Sequence, residues 1–115
     1  MNNSPNEKLE ILMPVHNEGK SLEETIFKIY EVIKTKINFS FIICEDGSTD
    51  DTVEILNKLK LKYPIILLTH PFKKGYSNAV IDGVKHATAD YLLVMDSDGQ
   101  CDPKEIFKFW DNRKK

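Results

Sequence analysis

Two aspartates and a glutamine, Asp96, Asp98 and Gln100, follow an apolar segment near the end of the sequence. Residues 91–95 are apolar enough to form a buried strand, which would hold the three polar side chains together at its end. Carboxylate and amide oxygens suit Mg²⁺ or Mn²⁺, whereas zinc prefers nitrogen and sulfur ligands. Such sites usually keep open metal positions that phosphate oxygens fill. The segment therefore predicts a divalent metal site that binds a diphosphate.

Three other polar segments, residues 16–18, 46–48 and 70–75, also follow apolar segments. In a parallel sheet the carboxyl ends of the strands share one edge, where the ligands of open α/β sheets bind. The polar segments are therefore expected to meet at one site. Their convergence is stronger evidence for ligand binding than any single segment provides.

The second and third of these segments contain residue types that can contact a nucleotide. Asp46 comes directly after a predicted buried strand, where its carboxylate could accept a hydrogen bond from a nucleobase. Gly47 permits a positive φ or a close ligand approach. Ser48, or one of the two residues after it, can cap the next helix. Lys74 and Gly75 begin a third helix and could approach a phosphate, although the spacing of a P-loop is absent.

The first polar segment offers a surface for a flat ring. Pro14 ends a predicted strand and restricts the residue before it to extended geometry. The backbone of Pro14 and Val15 could then line a slot for a base, and Glu18 could bind ribose hydroxyls. We interpret His16 as an exposed loop residue rather than a catalytic group.

Strand and helix patterns alternate along the chain, with strands predicted at residues 9–15, 39–44, 65–68 and 91–95. Helices with one apolar face follow them. Nearly continuous apolar strands are typical of a parallel sheet that is covered on both faces. The predicted fold class is α/β, with three α/β/α layers around a mostly parallel sheet.

The ends of two helices have recognisable signals. Ser21 and Glu24 form a predicted capping box at the start of the first helix. Asp102 is the predicted N-cap of the last helix, with Pro103 at its first position.

Length and composition narrow the class of protein. The 115 residues predict a single domain, residues 1–115, of which 1–7 have no apolar pattern and are expected to be disordered. A net charge of -2 does not favour nucleic acid as a partner. The sequence has neither an apolar signal region nor a run long enough to span a membrane. The two cysteines fit no metal-ligand spacing, so a reduced cytoplasmic location is expected, with Cys44 packed as a small hydrophobe.

Four motifs in this order resemble the N-terminal, donor-binding half of family 2 glycosyltransferases with the GT-A fold. They are P-V-H-N-E at 14–18, E-D-G-S-T-D-D-T at 45–52, K-G-Y-S-N-A at 74–79 and M-D-S-D-G-Q-C-D-P at 95–103. The most similar subgroup is the polyprenol-phosphate sugar transferases, such as the dolichyl-phosphate mannose synthase group. The resemblance covers essentially the whole chain after Leu9.

This resemblance implies a Rossmann-like nucleotide-binding half and a UDP- or GDP-sugar as the donor. Pro14 and Val15 would line the base site, Glu18 would reach the ribose, and Asp46 would contact the base. The expected nucleotide-sugar contacts also include Ser48 and Lys74.

The resemblance also assigns the metal site. Asp96 would lie near the ribose and the metal, and Asp98 and Gln100 would bind the Mg²⁺ or Mn²⁺ that bridges the two phosphates. The metal would stabilise the charge that grows on the departing diphosphate. A polyprenyl phosphate is the implied acceptor, which would place the reaction at the cytoplasmic face of a membrane, in glycolipid or cell-wall synthesis.

One departure from the family is length. Such enzymes are considerably longer, and their second half carries the acceptor site and the catalytic base. The chain therefore looks like the donor-binding half alone, and no catalytic residue is assigned. The strand before Asp96 would then be an exposed edge of the sheet, which favours self-association.

Three alternatives remain open at this point. The chain could be a nucleotide-sugar-binding module without turnover. A haloacid-dehalogenase-type phosphatase also places D-x-D-G after an apolar strand, but that family has Thr or Val at the position of Gln100 and its motif comes early in the chain. A sugar nucleotidyltransferase would need a glycine-rich loop after the first strand, which is missing.

Overall fold

The computed structural model describes residues 7–99 and 102–114. Strands and helices alternate through the described part of the chain, as the sequence predicts. In order they are β1 (Leu9–Val15), α1 (Gly19–Ile33), β2 (Phe39–Asp46), α2 (Thr52–Leu59), β3 (Ile65–His70), α3 (Tyr76–His86), β4 (Tyr91–Val94) and α4 (Lys104–Asp111).

The strands form one parallel sheet in the order β3-β2-β1-β4. β1 and β2 lie in the middle, and β4 is an edge strand, as expected for the strand before Asp96. β4 pairs with β1 from Leu9↔Tyr91 to Leu12↔Val94. The register of β2 and β3 brings Asp46 beside His70. The loops after the strands therefore share one edge of the sheet.

Helices cover both faces of the sheet. One face packs against α1, α2 and α4, where Trp110 is the largest buried side chain of the main apolar core. On the other face, α3 lies so close to β1 that a Cβ on Gly83 would be 2.2 Å from Leu12 Cδ1. The predicted α/β class with three layers is confirmed. Burial of each large aliphatic side chain in this core stabilises the fold by about 1.5–3 kcal/mol.

The predicted capping box of the first helix is wrong. α1 begins at Gly19, because the Glu18 carbonyl accepts a helical hydrogen bond from the Leu22 N–H at 3.0 Å. The Ser21 hydroxyl lies inside the first turn and donates back to the Glu18 carboxylate at 3.2 Å. At α4, which begins at Lys104, the N-cap is Pro103, one residue after the predicted Asp102. Asp102 Oδ1 still accepts from the Lys104 N–H at 2.9 Å.

The beginning and end of the described chain are tied together. Arg113 Nη2 donates to Glu7 Oε1 at 2.7 Å, and the guanidinium lies 3.8 Å from the centre of the Trp110 ring. Of the stretch 1–7, only Glu7 belongs to the described residues. Among the helices of residues 7–99 and 102–114, none is long and apolar enough to cross a membrane.

Candidate functional site

Asn17 holds the loop after β1 against the loop after β2. It has a φ of 52°, a conformation that short amide side chains tolerate better than most. Its N–H donates to Ser48 Oγ at 2.9 Å, and its Oδ1 accepts from the Thr49 N–H at 2.8 Å. This role was not predicted from the sequence, although asparagine is typical of such strained loop positions.

Gly47 brings the end of β2 against the backbone of the loop after β3. It has a φ of 64°, and a Cβ there would lie 2.2 Å from Lys73 N and 2.3 Å from the carbonyl carbon of Phe72. The positive φ expected for this glycine is confirmed, whereas the close approach predicted for a ligand stays a prediction. The approaching group is the chain's own backbone.

Asp46 is the buried centre of this edge, with 3% of its surface exposed. Its Oδ1 accepts from the Lys74 N–H at 2.8 Å and its Oδ2 from the Gly75 N–H at 3.0 Å. His70 Nδ1 lies 2.8 Å from the same Oδ1. Burial opposes ionisation, but these hydrogen bonds outweigh it and lower the pKa of Asp46. The N–H groups of Lys74 and Gly75, which the sequence suggested could approach a phosphate, instead donate to Asp46.

His70 connects Asp46 to α3. Its Nε2 lies 2.6 Å from Asp82 Oδ2, so both ring nitrogens face carboxylates. The hydrogen bond to Asp46, aided by the one to Asp82 and opposed by burial, raises the pKa of His70. The role of Asp82 was not predicted. The predicted strand ends, aligned with each other, would have placed His70 beside Asp46, but nothing in the sequence points to Asp82.

A cysteine next to this pair does not form a nucleophilic site. Cys44 Sγ lies 3.8 Å from His70 Nε2, an arrangement that superficially resembles a Cys-His-Asp triad. Burial, together with the charges of Asp82 and Asp46, raises the pKa of the Cys44 thiol to about 11. Since only the thiolate is nucleophilic, Cys44 is a packed core residue, as predicted.

Pro14 and Val15, which were predicted to line a base slot, lie at the end of β1 beside the segment after β4. The Pro14 carbonyl accepts from Ser97 Oγ at 3.4 Å, and Ser97 is buried. The Val15 side chain belongs to the apolar core, so only its backbone can line a ligand site. The predicted lining of the slot by backbone atoms is compatible with this geometry.

The other residues predicted to contact the nucleotide differ in how many hydrogen bonds they already make within the protein. Glu18 is half-buried before α1, with Ser21 on its carboxylate. The Ser48 hydroxyl accepts from Asn17, and its N–H donates to the Glu45 carboxylate. The Lys74 side chain is exposed, and its Nζ lies 6.0 Å from the centre of the Phe72 ring.

Asp96 and Asp98 are both exposed at the end of β4. Asp96 Oδ1 accepts from the Tyr76 hydroxyl at 3.4 Å, so the start of α3 lies beside Asp96. Gln100, the third predicted ligand, lies outside the described residues. Within residues 7–99 and 102–114, no group of three His, Cys, Asp or Glu side chains is arranged to hold a metal ion. Two exposed carboxylates nevertheless fit Mg²⁺ or Mn²⁺, since such ions are often held by one or two carboxylates together with substrate phosphates.

Comparison with known proteins shows the family of the chain. The sequence profile described as "Glycosyl transferase family 2" matches residues 10–114. A dolichol-phosphate mannosyltransferase of Pyrococcus furiosus is 36% identical over 101 residues, which are 88% of this chain and 28% of that protein. The chain therefore spans little more than a quarter of the length of this relative.

Two solved structures share the fold. The mannosyltransferase PcManGT from Pyrobaculum calidifontis, in complex with GDP-Man and Mn²⁺, superposes with a TM-score of 0.70 at 22% identity, over 78% of this chain and 27% of that one. Glucosyl-3-phosphoglycerate synthase from Mycobacterium tuberculosis, in complex with Mn²⁺, UDP and glucosyl-3-phosphoglycerate, gives 0.63 at 19% identity, over 79% of this chain and 33% of that one.

Proposed function

Since the chain belongs to glycosyl transferase family 2, we propose that it binds the nucleotide-diphosphate sugar of a glycosyltransferase and supplies the donor side of sugar transfer. The observation that carries this proposal is that the segments after all four parallel strands meet at one edge of the sheet, with Asp46 buried behind it and Asp96 and Asp98 exposed on it. A phosphatase of the haloacid-dehalogenase type and a nucleotidyltransferase are not favoured by the family match.

In this proposal the protein's own groups divide the donor between them. The backbone of Pro14 and Val15 lines the base, Asp46 accepts from it, and Glu18 binds the ribose. Ser48 and Lys74 contact the nucleotide from the neighbouring loops. The support comes from the position of these residues on the carboxyl edge and from the exposed amine of Lys74.

A divalent metal completes the proposed site. Asp96, Asp98 and Gln100 would hold Mg²⁺ or Mn²⁺, and the relatives solved with Mn²⁺ and a nucleotide support this choice of ion class. When bound, the metal supplies charge stabilisation to the diphosphate. The Asp96 carboxylate would be oriented for this role by the Tyr76 hydroxyl.

The acceptor is proposed from similarity. The 36% identical relative is a dolichol-phosphate mannosyltransferase, which supports a polyprenyl phosphate as the acceptor. Transfer of radiolabelled sugar into an organic-soluble product would test this acceptor. Water-soluble labelled product instead would indicate another acceptor class.

Calorimetric titration of the 115-residue chain with UDP and GDP, with and without Mn²⁺, tests donor binding. We expect Mn²⁺-dependent binding of one nucleotide and a loss of at least tenfold in affinity for Asp98→Ala, since a charged metal ligand is removed. Asp111→Ala is the matched control, because Asp111 is an exposed aspartate on α4. Equal binding by wild type and Asp98→Ala would contradict the metal assignment, and no binding by the folded wild type would contradict the donor assignment.

A further inference from the structure

A chain of ionisable groups leads from α3 to the buried centre of the sheet edge. Asp82 on α3 bonds to His70 at the end of β3, and His70 bonds to Asp46 at the end of β2, over 2.6 Å and 2.8 Å. Neither Asp82 nor His70 has a part in the donor contacts above. His70 is nearly inaccessible, while the Asp82 side chain is about one-third exposed.

The hydrogen bonds on Asp46 fix the orientation of its carboxylate. An ionised carboxylate has about four acceptor positions, and His70, Lys74 and Gly75 occupy three of them. These three bonds therefore fix the direction in which the fourth acceptor position of Asp46 points. Because Lys74 and Gly75 lead directly into α3, the same bonds also set where Tyr76 meets Asp96.

His70 must be doubly protonated for this arrangement to hold. A neutral imidazole donates from one nitrogen, whereas both nitrogens of His70 face carboxylates. The ionisable groups that face the ring are Asp46 and Cys44 from β2, Asp82 from α3, and Lys74 from the loop. The two carboxylates exceed the single opposing lysine, so the imidazolium is the favoured form.

We propose that His70 and Asp82 are positioning residues of the donor site, in which the imidazolium of His70, held by Asp82, orients Asp46 and the 72–75 loop toward the nucleotide. This rests on the proposed function. Loss of the second His70 proton removes one donor from the network, so donor affinity falls as the pH rises through the titration of His70.

The first test follows His70 without any nucleotide. Ring ¹⁵N NMR of the wild-type chain is expected to show both nitrogens of His70 protonated at pH 7. Asp82→Asn is expected to move the titration midpoint of His70 to lower pH, because a carboxylate partner is lost. Asp111→Asn is the matched control and should leave the midpoint unchanged. A neutral His70 at pH 7 in the wild type would overturn the proposal.

The second test measures nucleotide affinity by calorimetry with Mn²⁺ between pH 6 and pH 9. We expect Asp82→Asn to weaken binding about tenfold near neutral pH and to shift the loss of affinity to lower pH. His70→Gln should weaken binding and remove this pH dependence. A thermal melt checks that each variant is folded. Wild-type affinity and an unchanged pH profile in both variants would show that the network only stabilises the fold.

The outcomes separate this proposal from the proposed function. If the wild-type chain binds neither nucleotide while His70 titrates as expected, the donor assignment fails and the positioning role fails with it. If the wild type binds nucleotide but the variants match it, only the positioning role is overturned.

Discussion

At the residue scale, the Asp46–His70 pair makes stability depend on pH in two directions. Burial alone would raise the pKa of Asp46, but hydrogen bonds from His70 and the loop lower it. The ionised Asp46 therefore stabilises the fold fully above about pH 4, and this stabilisation is lost as the pH falls further. The bond to Asp46 raises the pKa of His70. The protonated His70 therefore stabilises the fold fully below about pH 6.5, and this stabilisation is lost as the pH rises through the raised pKa. We expect this pair to stabilise most between about pH 4 and pH 6.5.

Urea unfolding across a pH series measures this dependence. His70→Gln should flatten the decline on the alkaline side, because the group that titrates there is gone. His86→Gln removes an exposed histidine of α3 and serves as the control. A wild-type free energy of unfolding that rises steadily from about pH 6.5 to pH 9 would contradict the assignment.

At the scale of elements, the loop after β2 depends on Gly47. Gly47→Ala forces an alanine into a φ of 64° and places its Cβ 2.2 Å from a backbone nitrogen. We expect this change to lower the free energy of unfolding by about 2–4 kcal/mol, since backbone atoms give way less easily than side chains. Denaturant unfolding measures the loss.

Gly75→Ala measures the cost of a positive φ at a position without a clash. Gly75 also has a positive φ, at 100°, but no heavy atom lies within 4 Å of its added Cβ. Gly75→Ala should therefore lower the free energy of unfolding only by the backbone strain, about 1–3 kcal/mol. A loss of only about 1 kcal/mol for Gly47→Ala, the cost of a left-handed residue alone, would mean that the contact between the β2 loop and the Phe72–Lys73 backbone does not matter.

The elements also show what local sequence can and cannot predict. Apolar strands and helical periodicity are local signals, so the strands, the helices and the parallel sheet were predictable from them. The start of α1 at Gly19 was not predictable in this way. It depends on the hydrogen bond from the Leu22 N–H to the Glu18 carbonyl, to which the Ser21 hydroxyl also donates. Asp82 was missed because its partner His70 lies on another element, and only the packing of α3 brings them together.

At the scale of the whole molecule, β4 leaves one side of the described sheet unpaired. It pairs with β1 alone, and Val94 on it is 39% exposed. On the neighbouring α3, Ile81 and Val84 are also exposed. An apolar edge strand with free backbone groups is a template for pairing with another chain. We therefore predict that this chain self-associates through β4.

Sedimentation velocity over a concentration series tests this. The wild type should show a growing dimer fraction, and Val94→Lys should shift it to monomer, because a lysine on an edge strand opposes pairing. Ile66→Lys makes the same change on β3, the other edge of the described sheet, where Ile66 is 40% exposed. If Ile66→Lys rather than Val94→Lys gave monomers, association would run through β3. A wild type that stays monomeric and melts cooperatively at high temperature would mean that the β4 edge is stable without a partner.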